Sequence, residues 1–264
     1  GKKMKKKIAA LLLAAMMCTL AACGAKDATA DDETNDKDTL VVAMELAYPP
    51  FETKDADGNP SGVSVDFAKA FGEYIGKDVV IENIAWDGLI PALQTGKADM
   101  VMSSMTITDE RKEKVDFSEP YANALLALLT NKDSGITSIE DMNAEGRKIA
   151  VKTGSTGYFY AQKNLPNAEI IALADESACV TEVAQGKADG FIYDQLTIYR
   201  NWQANLDTTD AVFIPFQEAD QWGIAVQKGN TELLDELNEF IEKYTAEGGF
   251  DELTDKYLAD EKKA

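Results

Sequence analysis

Residues 103–121 carry the side chains whose types and spacing are best suited to binding a small anion. A predicted strand ends there in hydroxyl-bearing residues, and a short helix is predicted to follow, with Arg111 in its first turn. Thr106 adds a hydroxyl, first-turn backbone N–H groups lack helical partners, and a guanidinium fits a carboxylate with two parallel hydrogen bonds. The pattern predicts a carboxylate site. On these residues alone, a surface arginine paired with Asp109 or Glu113, worth under about 1 kcal/mol, is the simpler interpretation.

A short internal repeat points to a second group of binding residues. Gly-Lys-Ala-Asp occurs at 96–99 and again at 186–189, and a short apolar stretch follows each copy. This spacing favours two similar α/β lobes, although any two βα units share such features. The repeat places Ser104 and Asp194 at equivalent strand ends, where open α/β sheets bind ligands. We therefore expect a ligand between them, and the alternative for Asp194 is a cap on a helix at 195–202.

The elements that must position these residues alternate along the chain from Leu40. Short apolar runs at 40–44, 79–84 and 100–104 predict buried strands, and apolar residues at helical spacing over 64–75 predict a helix between the first two. A further helix is predicted to begin at Leu89. This alternation predicts an α/β fold with a mainly parallel sheet.

The composition excludes several classes of function. The chain has 264 residues, 26 Lys and Arg, 46 Asp and Glu, a formal net charge of −20 and no histidine. An acidic surface repels phosphate backbones, so we expect no nucleic-acid partner. The lack of histidine excludes Ser-His-Asp hydrolysis and histidine-ligated zinc. We expect no catalytic residues, no metal and no cofactor.

The first residues have the pattern of a targeting segment. Lysines precede an apolar run that ends in Leu20-Ala21-Ala22-Cys23. This ending resembles the lipobox of bacterial lipoproteins, which implies a signal peptide over 1–22 and a lipid on Cys23; an ordinary secretory signal is the alternative. Residues 23–39 are rich in acids and predict a solvated tether. Cys179 is then left without a disulfide partner, and we expect it to be buried.

Several separated motifs resemble the polar amino-acid family of bacterial extracellular solute-binding proteins. Besides 103–121, they are Tyr-Pro-Pro-Phe-Glu at 48–52, Asp-Gly-Leu-Ile-Pro-Ala-Leu at 87–93 and Lys-Thr-Gly-Ser-Thr at 152–156. They occur in the family's order, and the resemblance covers about Leu40 to Tyr257. Several ordered motifs are more specific than any one of them.

The resemblance implies a two-lobed periplasmic-binding-protein clamshell, each lobe a mainly parallel sheet flanked by helices and joined to the other by two hinge strands. The first lobe would comprise 40–121 and a return segment at 219–264, and the second lobe 122–218. The hinge strands are expected near 121–124 and 215–221.

The resemblance also assigns roles at the ligand's head group. Arg111 matches the clamp on the α-carboxylate, and Asp194 matches the partner of the α-ammonium. Ser104 and Thr106 match further head-group contacts, and Thr156 matches the second lobe's hydroxyl donor near the carboxylate.

Four more residues match positions around the ligand's side chain. Tyr48 and Trp86 resemble the aromatic walls of the family pocket, with ordinary core packing as the alternative. Glu45 matches a position that is often Asp in the family and meets polar or cationic side chains. Lys152 matches a position that is lysine in the glutamine-binding branch, and it would disfavour a cationic side chain if it points inward. Glu45 and Lys152 thus argue in opposite directions, unless they pair with each other.

The function implied is the substrate-binding component of an ABC importer that captures a polar α-amino acid by hinge closure. Its partners would be a free amino acid, an ABC permease and, through the lipid, the bilayer. We expect a monomer at the extracellular face of the cell membrane, or on the periplasmic side where an outer membrane exists. Glutamine, basic and other polar amino acids all stay open. The alternatives are an enzyme similar to cyclohexadienyl dehydratase and a receptor-type ligand sensor on the same fold.

Overall fold

The computed structural model describes residues 38–215 and 217–261. The predicted signal peptide at 1–22, the lipidation site Cys23 and all of the tether up to residue 37 lie outside these residues. None of the helices in the described ranges is long and apolar enough to cross a bilayer.

Two mixed sheets form the framework. The first contains β1 (Thr39–Met44), β4 (Asp78–Asn83), β5 (Met100–Thr106), β6 (Val115–Phe117), β7 (Ala122–Ala124) and β13 (Asp220–Gln227). The second contains β8 (Leu126–Asn131), β9 (Lys148–Lys152), β10 (Glu169–Leu173), β11 (Gly190–Asp194) and β12 (Thr209–Phe213). A hairpin of β2 (Thr53–Lys54) and β3 (Pro60–Ser61) lies outside both sheets.

Helices cover these sheets, and each sheet with its helices is called a lobe below. The helices of the first lobe are α1 (Val63–Ile75), α2 (Leu89–Gln94), α3 (Asp109–Lys112), α8 (Thr231–Ala246) and α9 (Gly249–Glu261). Those of the second lobe are α4 (Ile139–Met142), α5 (Thr156–Asn164), α6 (Glu176–Ala184) and α7 (Gln195–Ala204).

Each sheet contains one strand that runs against the others in the part of the chain that the structure describes. The order is β4-β1-β5-β13-β6 in the first sheet, where β7 also pairs with β13, and β10-β9-β11-β8-β12 in the second. The reversed strands are β13 and β8. Each is the strand that brings the chain into its sheet from the other lobe. The predicted α/β fold with mainly parallel sheets is confirmed.

Apolar side chains fill both faces of each sheet. In β1, Leu40, Val42 and Met44 point into one core cluster and Ala43 into another, as the alternation of side chains along a strand requires. Phe67 of α1 is fully buried on the first of these faces. Burial of both faces explains why the strands are nearly continuous apolar runs.

The Gly-Lys-Ala-Asp repeat has the same geometry in both lobes. Gly96 and Gly186 adopt left-handed φ angles of 74° and 71°, which an L-residue rarely adopts. The carboxylates of Asp99 and Asp189 then accept backbone N–H groups of the neighbouring strands β1 and β9, at 2.7 and 2.8 Å. The turns fix where β5 and β11 begin, and so where their carboxyl ends lie.

Candidate functional site

The carboxyl ends of both sheets meet at a cavity of about 40 Å³ between the lobes. The structure brings all nine sequence-predicted site residues together around it: Glu45, Tyr48, Trp86, Ser104, Thr106, Arg111, Lys152, Thr156 and Asp194. The first lobe supplies six of them and the second lobe three. Their roles toward a ligand stay predictions.

Arg111 is a buried residue of α3. Thr108 caps this helix and accepts the Arg111 backbone N–H at 3.2 Å. One guanidinium nitrogen donates to Thr106 O at 2.7 Å, and the other donates across the cleft to Gly154 O at 3.0 Å. Burial lowers the pKa of Arg111 to about 10, so the group is still charged at neutral pH. A guanidinium has five N–H donors, so N–H groups remain for an anion in the cavity.

Asp194 ends β11 and also caps α7. Its Oδ1 accepts the backbone N–H groups of Leu196 and Thr197 at 3.0 and 3.1 Å, so the capping role is present. Its Oδ2 is buried and has no partner in hydrogen-bonding geometry among the described residues, although the Tyr48 hydroxyl lies near it. Burial raises the pKa of Asp194, against the effect of these hydrogen bonds. Oδ1 therefore caps α7, whereas Oδ2 is available to bind a cation in the cavity.

Hydroxyl groups line the cavity between these two charges. Ser104 has a φ of 49°, a left-handed conformation that is unfavourable for a residue with a Cβ, and its buried Oγ has no hydrogen-bond partner among the described residues. Thr156 is the first residue of α5, whose cap Ser155 accepts the Tyr158 backbone N–H at 3.2 Å. The cavity thus has donors and acceptors from both lobes.

The aromatic residues form two walls. The Tyr48 ring makes edge contacts with Tyr193 of the second lobe at 6.2 Å and with Trp222 at 5.8 Å between centroids. Trp86 packs against one core cluster of the first lobe and also faces the cavity, with Lys152 Nζ at 5.3 Å from its ring centroid. Core packing and cavity lining are therefore both properties of Trp86.

Glu45 and Lys152 pair with each other, which the sequence left open. Lys152 Nζ contacts Glu45 Oε1 across the cleft and lies 3.4 Å from Glu176 Oε1. The other Glu45 oxygen accepts the Trp86 backbone N–H at 2.7 Å, and the Tyr193 hydroxyl donates to Glu176 Oε1 at 2.9 Å. Burial raises the pKa of Glu176 to about 7, while the Lys152 ammonium opposes this. One ammonium is shared by two carboxylates.

Sequence reasoning missed three acidic residues of this cavity: Glu52, Glu176 and Asp220. Glu176 follows β10, so the rule that ligands lie beyond strand ends could have found it. Asp220 lies at the start of the return strand β13, and no local pattern marks it. Burial raises its pKa, while Thr156 and Arg111 oppose that shift.

Glu52 is fully buried behind the cavity. The Ser64 hydroxyl donates to its Oε2 at 2.6 Å, and its Oε1 has no hydrogen-bond partner among the described residues. Burial raises its pKa to about 8, so the Glu52 carboxyl is mostly protonated at pH 7. It occupies the last position of the Tyr-Pro-Pro-Phe-Glu motif.

No group of three or more Cys, Asp or Glu side chains in the described ranges is arranged to hold a metal ion. Cys179 is buried, and burial raises the pKa of its thiol to about 12. A thiol so far from ionisation is a poor nucleophile at neutral pH. The described residues that line the cavity supply charges, hydroxyl groups and aromatic rings.

The chain is similar to several known proteins over most of its length. It is 35% identical over 263 residues to a probable histidine-binding protein of Neisseria gonorrhoeae, covering 98% of this chain and 97% of that protein. An ancestral arginine-binding protein bound to arginine has a TM-score of 0.78 and 35% identity, with 84% of this chain and 98% of that chain covered. An ancestral amino acid-binding protein, described as a precursor of cyclohexadienyl dehydratase, has a TM-score of 0.76 and 38% identity, with 83% and 95% covered.

A family model gives the same result. The model of the bacterial extracellular solute-binding proteins, family 3, matches residues 40–260, which include both lobes and the cavity between them. The chain belongs to family 3 of the bacterial extracellular solute-binding proteins.

Proposed function

We propose that the chain captures a free polar α-amino acid outside the cytoplasm and delivers it to an ABC permease. The observation that carries the proposal is one cavity with the Arg111 guanidinium on one lobe and the unpartnered Asp194 Oδ2 on the other. A zwitterionic head group has one anion and one cation, and burying either unpaired costs several kcal/mol. The names of the similar proteins, a probable histidine-binding protein and an ancestral arginine-binding protein, support the same class of ligand.

Capture is proposed to occur by closure of the two lobes. The chain passes from the first sheet to the second between Ala124 and Leu126 and returns between Phe213 and Asp220. These two connections would be the hinge between the lobes that the sequence places at 40–121 with 219–264 and at 122–218, with β7 at 122–124 paired to the first sheet. An amino acid that contacts both lobes favours the closed state, because those contacts exist only there.

Anchoring by lipid on Cys23 is part of the proposal. It is supported by the lysines, apolar run and small residues before that cysteine, and by the extracellular family. A lipid-anchored monomer would stay near the permease while it samples the medium. The acidic tether at 23–39 would let the two lobes extend away from the membrane surface.

The role is binding rather than catalysis. The similar proteins are named for binding, although one of them is described as the precursor of a dehydratase. A dehydratase needs a general acid or base beside its substrate. Lys152 is instead held in ion pairs, Asp194 caps a helix through one oxygen, and Arg111 donates to backbone carbonyl groups.

The test is a thermal-shift panel with the 20 standard amino acids on the whole chain, unfolded and refolded to remove carried ligand. A ligand that binds only the folded state at 1,000 times its Kd stabilises by about 4 kcal/mol, which raises Tm clearly. Arg111→Met should abolish the rise. Lys112→Met, the loss of an exposed charge one residue further along α3, should keep it. No rise with any amino acid would refute the proposal.

A further inference from the structure

The charges around the cavity do not balance. Among the described residues lining it, the acids besides the neutral Glu52 are Glu45, Glu176, Asp194 and Asp220, and the bases are Arg111 and Lys152. Two negative charges are therefore uncompensated when all four acids are ionised. An amino acid with a neutral side chain adds no net charge, so the imbalance would persist after capture in a site where charge is poorly solvated.

One of the two excess negative charges lies away from the head-group residues, whereas the other is that of Asp220, which interacts with Arg111 and Thr156. Arg111 and Asp194 suit the two charges of the zwitterion. Glu45 and Glu176 then share the single ammonium of Lys152, and all three side chains are largely buried, with 14%, 11% and 2% of their side-chain surface exposed. A carboxylate has about four acceptor positions, so these two can accept more donors than one ammonium and their other partners supply.

We propose that Glu176, acting with Glu45, makes this site selective for an amino acid whose side chain is cationic. The proposal deepens the proposed function and rests on it. The cationic group of the ligand would join Lys152 between the two carboxylates, and each cation would then have its own counter-ion. Trp86, whose ring lies 5.3 Å from Lys152 Nζ, would offer its face to the ligand's stem.

A neutral amide is the competing ligand, and the geometry disfavours it. An amide could donate N–H groups to Glu176 and accept one from Lys152, but it would leave the charge imbalance unchanged. The pKa of Glu176 is near neutral because burial raises it by more than the one shared ammonium of Lys152 lowers it. A second cation nearby would return that carboxyl to its ionised form. The charge of the ligand's side chain, rather than the number of its hydrogen bonds, thus separates cationic amino acids from neutral amides.

The experiment uses L-arginine and L-citrulline, which have nearly the same shape and differ in the charge of the side chain, with L-lysine and L-glutamine as a second comparison. Calorimetric titration of the ligand-stripped whole chain should show arginine or lysine binding at least tenfold more tightly than its neutral counterpart. Glu176→Gln should lower that ratio at least tenfold. Lys152→Met should raise it, because the ligand's cation would then face both carboxylates alone.

The ratio between ligands is the decisive readout, because a merely structural role of Glu176 would weaken both ligands alike. Glu169→Gln, an exposed glutamate of the same lobe, is the matched control and should leave the ratio unchanged. Tighter binding of glutamine or citrulline by the unmodified chain, or a ratio unaltered by Glu176→Gln, would overturn this proposal and leave amino-acid capture standing. No binding of any amino acid would overturn both.

Discussion

Glu52 offers a sharp test of the electrostatics behind the cavity. It is fully buried, accepts one hydrogen bond from Ser64, and has a pKa raised to about 8 by burial. Glu52→Gln keeps the shape and the acceptor for Ser64 but cannot ionise. The variant should therefore be more stable than the unmodified chain, and the difference should depend on pH.

The size of the effect follows from linkage. The unfolded chain loses this proton near pH 4.5, whereas the folded chain keeps it until about pH 8. Between these values the folded state binds more protons, so the contribution of Glu52 to stability falls as pH rises, by about 1.4 kcal/mol per pH unit. Glu52→Gln should match the unmodified chain near pH 4, exceed it by roughly 3 kcal/mol at pH 7, and level off near 5 kcal/mol above pH 8.

The assay is urea unfolding followed by tryptophan fluorescence at pH 4, 7 and 9, without added amino acid. The free energy of unfolding of Glu52→Gln minus that of the unmodified chain is the quantity compared. Glu73→Gln, an exposed glutamate of α1, controls for the loss of a charge as such and should give a difference within about 0.5 kcal/mol at each pH. A Glu52→Gln difference that stays constant from pH 4 to 9 would refute the buried neutral acid.

Three further substitutions test the site and its scaffold. Arg111→Met should weaken amino-acid binding more than a hundredfold by calorimetry and leave Tm of the free chain unchanged or higher, because a buried charge is removed; retained affinity would contradict the carboxylate role. Asp194→Asn keeps an acceptor for the cap of α7 but not the charge, so affinity should fall by about 2–5 kcal/mol while the circular dichroism spectrum stays the same; an unchanged affinity would leave only the capping role. Gly157→Ala places a Cβ 2.5 Å from the backbone oxygen of Ile192, so urea unfolding should show a loss of about 1–3 kcal/mol; an unaltered midpoint would show that α5 can shift off β11 freely.

Much of the site could be predicted because the sequence marks where strands end. The apolar strands and the two Gly-Lys-Ala-Asp turns place Ser104 and Asp194 at equivalent positions, and parallel strands bring their carboxyl ends to one edge. The predicted end of the strand at Ser104 is wrong, because β5 continues to Thr106, whereas β11 does end at Asp194. Arg111 could be placed beside these residues because it lies in the first turn of the next helix. These are local relations along the chain.

The contacts that the sequence could not supply join distant segments. The ammonium of Lys152 in β9 is shared by Glu45, which follows β1 of the other lobe, and by Glu176, which begins α6, and only the folded geometry brings both within reach. Asp220 reaches the cavity because β13 returns to the first sheet. The raised pKa of Glu52 depends on its complete burial in the folded chain, which no pattern of residue types expresses.

The central claim is that both head-group charges of an α-amino acid are bound between the lobes. The most direct measurement is calorimetric titration of the ligand-stripped chain with the tightest-binding L-amino acid from the thermal-shift panel and with the amine that lacks its α-carboxylate. The structure predicts one bound amino acid per chain and at least hundredfold weaker binding of the amine, because Arg111 would then be buried without an anion. Equal binding of the two would contradict the claim.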